Sequence, residues 1–391
     1  MVTRGIKNCR YSRLFKGCSP LQLLCNLIGN RPQSATFHTA NVTCKAKNDT
    51  TMKNIILTTI VLFSLSTVFG QNGMKSGNLF LLLKDRKTLS INSFENDKIN
   101  ELKSFSISEK SIYTTDQKER VAILDTAKNS VTILNLKTSK EVKLTIPYEI
   151  KPKTILLNDG NLFIGGEMGK EILIQYHLQN EKWYQLEIPR EVVFFGKAVD
   201  DLVVNDSLLI AIDNIVMPKY VLFYRLNSNS KLELSHYKGL KHNGAYESIH
   251  QGRITDKYLG LLSNTYSGYV GGTNHITIYE NLELTSSFAI SSNQNDKDYH
   301  TFTDFLIVKD KILIASKEKG LGVFEIKTAY FKKSDKYGNN DSNPRESTSK
   351  IKYSKYDNQV VIKLTLIPYT TNVIVTLENK KGVFTHEIIE I

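Results

Sequence analysis

Short apolar runs rich in Val, Ile, Leu, Tyr and Phe recur through this chain at intervals of 42–62 residues, with no sustained 3.6-residue periodicity over any window of a dozen residues. Together these observations predict an all-β chain: a β-propeller of seven four-stranded blades. A single such sheet cannot bury both of its faces, so copies must stack around an axis. A two-layer β-sandwich explains the strands but not the regular period.

The first 51 residues stand apart. They hold eight Lys or Arg (Arg4, Lys7, Arg10, Arg13, Lys16, Arg31, Lys45 and Lys47) against one acid, Asp49. They also hold all four cysteines: Cys9, Cys18, Cys25 and Cys44. A second beginning follows at Met52-Lys53-Asn54, leading into IILTTIVLFSLSTVFG. A short basic region, an apolar stretch and slim residues at Val68 and Gly70 predict a signal peptide over 52–70, cleaved before Gln71. Three readings of 1–51 are open: translation that begins at Met52, a mitochondrial presequence, or a start at Met1 with 55–69 as an uncleaved anchor. Against the second, Pro20 and Pro32 interrupt the segment and no sustained amphipathic helical pattern is visible. Against the third, the apolar stretch is short of the roughly 20 residues a spanning helix needs. The expected location is secreted or periplasmic, with no stable membrane span once the signal is removed.

Removing this part changes the charge reading. Of the 51 basic and 39 acidic residues of the whole chain, 42 and 38 lie after Lys53, so the exported part carries +4 rather than +12. A strongly basic chain invites a nucleic-acid reading; here the excess sits mostly upstream, and no nucleic-acid partner is expected. The exported part has no cysteine, which excludes a cysteine nucleophile there.

Residues 71–391 form the expected propeller domain. Its third strands read TLSINSF (88–94), VTILNL (131–136), ILIQYHL (172–178), YVLFYRL (220–226), HITIYEN (275–281), LGVFEI (321–326) and GVFTHEI (382–388). The longest interval contains the Lys-, Asn- and Ser-rich stretch 328–357, read as a polar surface-loop insertion. Gly165-Gly166 and Gly271-Gly272 are read as turns between strands. The last copy stops after its third strand, and 71–77 precede the first copy, so the ring is expected to close by mixing of the termini.

The candidate site comes from aligning first strands. Asp206, Asp256 and Asp310 precede the second-strand runs LLI, YLG and ILI, and counting six residues back gives Asp200, His250 and Asp304. The same count from Asp159 gives Lys153, and matching the following strands adds Tyr113 and Thr365. First strands line the channel of a propeller, so these six polar groups are expected at one level near its mouth, a concave place for a ligand. Their simplest role is wet channel lining. Tyr266 and Tyr269 offer a second, aromatic surface suited to a sugar ring.

In strand order, and in phrases such as DFLIVKDKILIAS and GLGVFEI, the chain resembles WD40-like and LVIVD-type propeller repeat proteins. It lacks the Gly-His and Trp-Asp marks of true WD40 blades, having a single Trp, Trp183. The signal ending in Gly-Gln and the Asn/Lys/Ile-rich composition resemble exported proteins of Bacteroidota. The expected function is a monomeric binding scaffold for a protein, peptide or glycan ligand at one face or channel mouth, with no cofactor and no metal. The alternative is a propeller hydrolase or lyase using His250 with Asp200 and Asp304. Expression from Met52 in a bacterial host is expected to give an extracytoplasmic protein with Gln71 at its N-terminus. Terminal peptide sequencing checks this, and recovery of residues 1–51 from native material overturns it.

Overall fold

The computed structural model describes residues 78–391, apart from 168–171, 190–197, 206–207, 214–219, 227–231, 241–246, 268–270, 281, 294–298, 334–344, 348–349, 355 and 357–358. They form seven sheets, antiparallel except for one short added strand, with a 3-10 turn at Thr328–Tyr330. No helix among the described residues is long and apolar enough to cross a membrane.

Blades 2, 3 and 4 each have four strands in sequence order. Blade 2 is Ser111–Thr115, Arg120–Asp125, Ser130–Asn135 and Glu141–Thr145. Blade 3 is Lys151–Asn158, Asn161–Glu167, Leu173–His177 and Lys182–Gln185. Blade 4 is Val199–Asn205, Leu208–Asp213, Tyr220–Leu226 and Leu232–Gly239. In blade 3, for example, the middle strands are buried almost throughout and the fourth is largely exposed, as a sheet packed on both sides at its centre requires.

Blades 5 and 6 are built partly from the long insertion. Blade 5 (Glu247–Ile254, Leu259–Ser267, Gly271–Tyr279 and Ser286–Asn293) gains an antiparallel piece, Lys332–Lys333, and a parallel one, Arg345–Ser347, on its outer strand. Blade 6 (Phe302–Val308, Lys311–Ser316 and Gly320–Glu325) takes its fourth strand, Lys352–Ser354, from the far end of the same insertion. Read from sequence as a surface loop, the segment instead walls two blades. Phe331 carries it: the ring stacks on Tyr258 at 5.8 Å and meets Phe288 edge-on at 4.9 Å.

The terminal blades have three described strands each. Blade 1 is Phe80–Asp85, Thr88–Glu95 and Lys98–Ser106; blade 7 is Gln359–Leu366, Asn372–Asn379 and Phe384–Glu390. In blade 1 the anchor 88–94 falls on the middle described strand, flanked by a mostly exposed outer one, so these strands correspond to the second, third and fourth of a full blade. The first strands of blades 2 and 7 approach one another here: the Lys363 ammonium lies 5.0 Å from the centre of the Tyr113 ring. Residues 71–77, expected to supply a closing strand, lie outside the described residues.

Seven buried apolar clusters hold the ring, one at each seam between neighbouring blades. At the seam between blades 1 and 7, Phe80 and Leu82 pack with Ile367 and Ile374. Arg86 Nη2 bonds Glu378 Oε1 there at 2.8 Å. Both glycine pairs fall within strands rather than turns, and the first serves packing. Gly165 and Gly166 lie within a strand, and a Cβ on Gly165 would stand 2.5 Å from Val199 Cγ1 of the next blade. Gly271 and Gly272 likewise begin a strand.

Gly260 makes the same kind of close approach. A Cβ there would lie 2.6 Å from Cε2 of the fully buried Phe305 and 2.9 Å from Ile307 Cδ1. Overpacking of this kind costs about 1–3 kcal/mol. Gly260→Ala is therefore expected to lower the urea midpoint by the corresponding amount at unchanged m-value; an unchanged midpoint would show that the seam between blades 5 and 6 is loose.

Candidate functional site

Each of the six sequence-derived residues falls on the first strand of its own blade, from Tyr113 in blade 2 to Thr365 in blade 7. Five of these strands carry a bulge in their pairing with the second strand. The extra residue is Lys153, Asp200, His250, Thr303 and Ile362 in blades 3 to 7. A bulged residue has no ladder partner and its side chain is re-aimed. Lys153, Asp200 and His250 thus share one structural position, while Asp304 lies one residue beyond it. The offset begins at the turn: Lys309 (φ 54°) takes the left-handed place that Asp159 (φ 42°) holds in blade 3, so Asp310 sits one step late for the count.

Of the six, Lys153 and Asp200 meet directly. Lys153 Nζ donates to Asp200 Oδ1 at 2.8 Å and to Glu167 Oε2 at 2.6 Å, and Lys151 reaches Glu167 Oε1 at 2.5 Å. Hydrogen bonds from Lys151 and Lys153 hold the Glu167 carboxyl below the usual range. Burial pulls the Lys153 ammonium down, but its bonds to Asp200 and Glu167 outweigh this and leave it raised. Asp200 Oδ2 is buried and finds no hydrogen-bond partner. Thr365 Oγ1 is likewise buried and unbonded. His250 is exposed on its bulge.

Asp304 has a different use. It is 3 % exposed, and its carboxylate is filled from three blades. Oδ1 accepts the Phe305 N–H at 2.8 Å and Arg253 Nη2 of blade 5 at 3.0 Å, and Oδ2 accepts the Leu364 N–H of blade 7 at 2.8 Å. Asp201, which the sequence count passed over, repeats the device across blades 3, 4 and 5. Its Oδ1 accepts the Leu202 N–H at 2.9 Å and the Thr154 hydroxyl at 3.5 Å, and its Oδ2 takes the Gly252 N–H at 2.6 Å. Gly252 permits the approach, since a Cβ there would stand 2.6 Å from Ile212 Cδ1. The shared signal was available as an Asp directly before an apolar run of three or four residues, DLVV and DFLIV. Counting back from the turn hid it.

Among the described residues no three His, Cys, Asp or Glu side chains converge as a metal site. The Tyr266 side chain and Tyr269 lie outside the described residues.

No family model and no curated protein matches the chain. Among solved structures it is similar to Sqt1 of Saccharomyces cerevisiae, with a TM-score of 0.50 at 10 % identity over 81 % of this chain and 82 % of that one. It is also similar to the β-propeller domain of Cps50 (Swd1) of Myceliophteria thermophila, with a TM-score of 0.51 at 10 % identity over 81 % and 94 %. At such identities the likeness concerns the fold alone, a WD40-like β-propeller.

Asp201 makes the clip measurable. The residue keeps some exposed surface, but its carboxylate is enclosed, and burial pushes it up to about 6 against the pull of the Gly252 N–H and the Arg253 charge. A folded-state pKa above the unfolded value near 3.8 means the native state holds the proton more tightly. The stabilisation is full below about pH 4 and is lost as pH rises through about 6, a change on the order of 3 kcal/mol. Urea titrations of wild type and Asp201→Asn are expected to show the variant gaining on the wild type by that order between pH 4 and pH 7. A constant difference would mean the carboxyl is ionised throughout.

Proposed function

We propose that this chain is an exported, monomeric propeller scaffold that binds a protein, peptide or glycan ligand at one face or channel mouth. The observation that carries the reading is the use made of charge along the first strands. Arg253 and Asp304 tie blades 5, 6 and 7 together, and Lys153 bridges Asp200 and Glu167 across blades 3 and 4. Groups held this way fix geometry, and fixed geometry is what recognition by preformed polar groups needs. The three bulges at Lys153, Asp200 and His250 set side chains out of the ladder at one level of three adjacent blades. Their mixed charge suits a polar ligand better than an apolar one.

The test uses the full exported chain against a glycan array and a peptide array. Binding to the strongest array ligand is expected to fall about tenfold or more in His250→Ala, a loss of about 1.4 kcal/mol, with the melting temperature unchanged. Binding that survives both His250→Ala and Asp200→Asn would move the ligand away from these bulges. Cleavage of an arrayed glycan or peptide by the wild type, lost in His250→Ala, would replace the scaffold reading with the hydrolytic one.

A further inference from the structure

The seam between blades 1 and 7 carries a second feature, independent of the bulged residues. A cavity of about 510 Å³ lies there, lined by Asp85, Arg86 and Lys87 of one hairpin turn and by Lys380, Lys381 and Gly382 of another. The two turns are almost 300 residues apart in the chain, and the stacking of blade 1 on blade 7 brings them together. We propose that this cleft binds a small polyanion, a ligand bearing two or more phosphate or sulfate groups.

The charge count supports this ligand class. Four cations and Asp85 line the cleft, and Glu378 lies alongside; Asp85 Oδ1 accepts the Lys87 N–H at 2.7 Å and so shapes its own turn. Arg86 is held by Glu378 at 2.8 Å, which orients the guanidinium while leaving its side chain 69 % exposed. Lys87, Lys380 and Lys381 have no ion-pair partner among the described residues. Three lysines without an ion pair on two facing turns repel one another, and a multivalent anion relieves that repulsion.

The second turn is also built to keep its lysines in place. Asn379 Oδ1 accepts both the Lys381 and Val383 N–H groups, at 2.9 and 3.0 Å, and the Gly382 N–H bonds Asn379 O at 2.9 Å. Gly382 has φ 74°, a conformation other residues adopt only with strain. The backbone carrying both lysines is therefore fixed across the cleft from Arg86, whose exposed guanidinium has further N–H groups to offer an oxyanion. A nucleic acid needs a longer track of phosphate contacts than four cations on two turns provide.

Isothermal titration of the full exported chain with inorganic pyrophosphate and with sucrose octasulfate tests the proposal. Each titration is run at low salt and again at about 0.15 M, where screening is strong. One-to-one binding of at least one probe is expected at low salt, and the tighter probe identifies the phosphate or the sulfate source. The double variant Lys380→Glu, Lys381→Glu is expected to weaken binding about tenfold or more, with its melting curve retained because both side chains sit on a turn. Lys143→Glu, on the exposed outer strand of blade 2, is the control and should change affinity less than about twofold. Equal weakening by this control, or no binding of either probe at low salt, overturns the proposal.

Discussion

The structure depends on one constraint: a twisted sheet of three or four strands has two apolar faces and cannot bury either by itself. Every buried apolar cluster in this protein therefore straddles two blades, and none is private to one sheet. The aromatic residues of the insertion, the glycines at strand centres and the buried carboxylates all follow from it. Phe331 seals blade 5, where Tyr258 and Phe288 need cover. Gly165, Gly252 and Gly260 remove a Cβ where the neighbouring blade comes within 2.5–2.6 Å of its ideal place. Close packing at the seams leaves little room for adjustment.

Asp201 and Asp304 meet the same constraint in polar form. Bulges in the first strands leave backbone N–H groups unmatched near the centre of the ring, where unbonded donors are expensive. A carboxylate one residue after the bulge takes up two N–H groups at once, one from its own strand and one from the next blade. Asp201 holds its position without a direct bond to a cation, and burial shows in its raised pKa; Asp304 has the Arg253 guanidinium at 3.0 Å. The same structural need is met in two electrostatic settings.

Much of this was legible in the residues. All seven third-strand anchors fall on strands, from TLSINSF to GVFTHEI, and DLVV, QGRI and FLIV lie on first strands. These were readable because alternating or continuous apolar runs bounded by turn residues report burial directly. The details that went unread depend on neighbours distant in sequence. Whether Gly165 makes a turn or a close contact is decided by Val199. Whether Asp304 faces solvent is decided by Arg253 and Leu364, 51 and 60 residues away in the chain. A polar stretch such as 328–357 gives no hint that Tyr330 and Phe331 will find a groove, because two aromatic residues among lysines look the same whether docked or solvated.

The seams are unequal, and in a closed ring that inequality has a mechanical meaning. Among the described residues, fourteen buried ones join blades 5 and 6, whereas four join blades 1 and 7. A hoop opens at its thinnest joint, however strong the others are. Among the described residues that joint is held by Phe80, Leu82, Ile367 and Ile374, with Phe94 and Ile99 packed against them and the Arg86–Glu378 tie beside them. Opening there would convert the circle into an arc with the other six joints intact, a hinge movement rather than the loss of a blade.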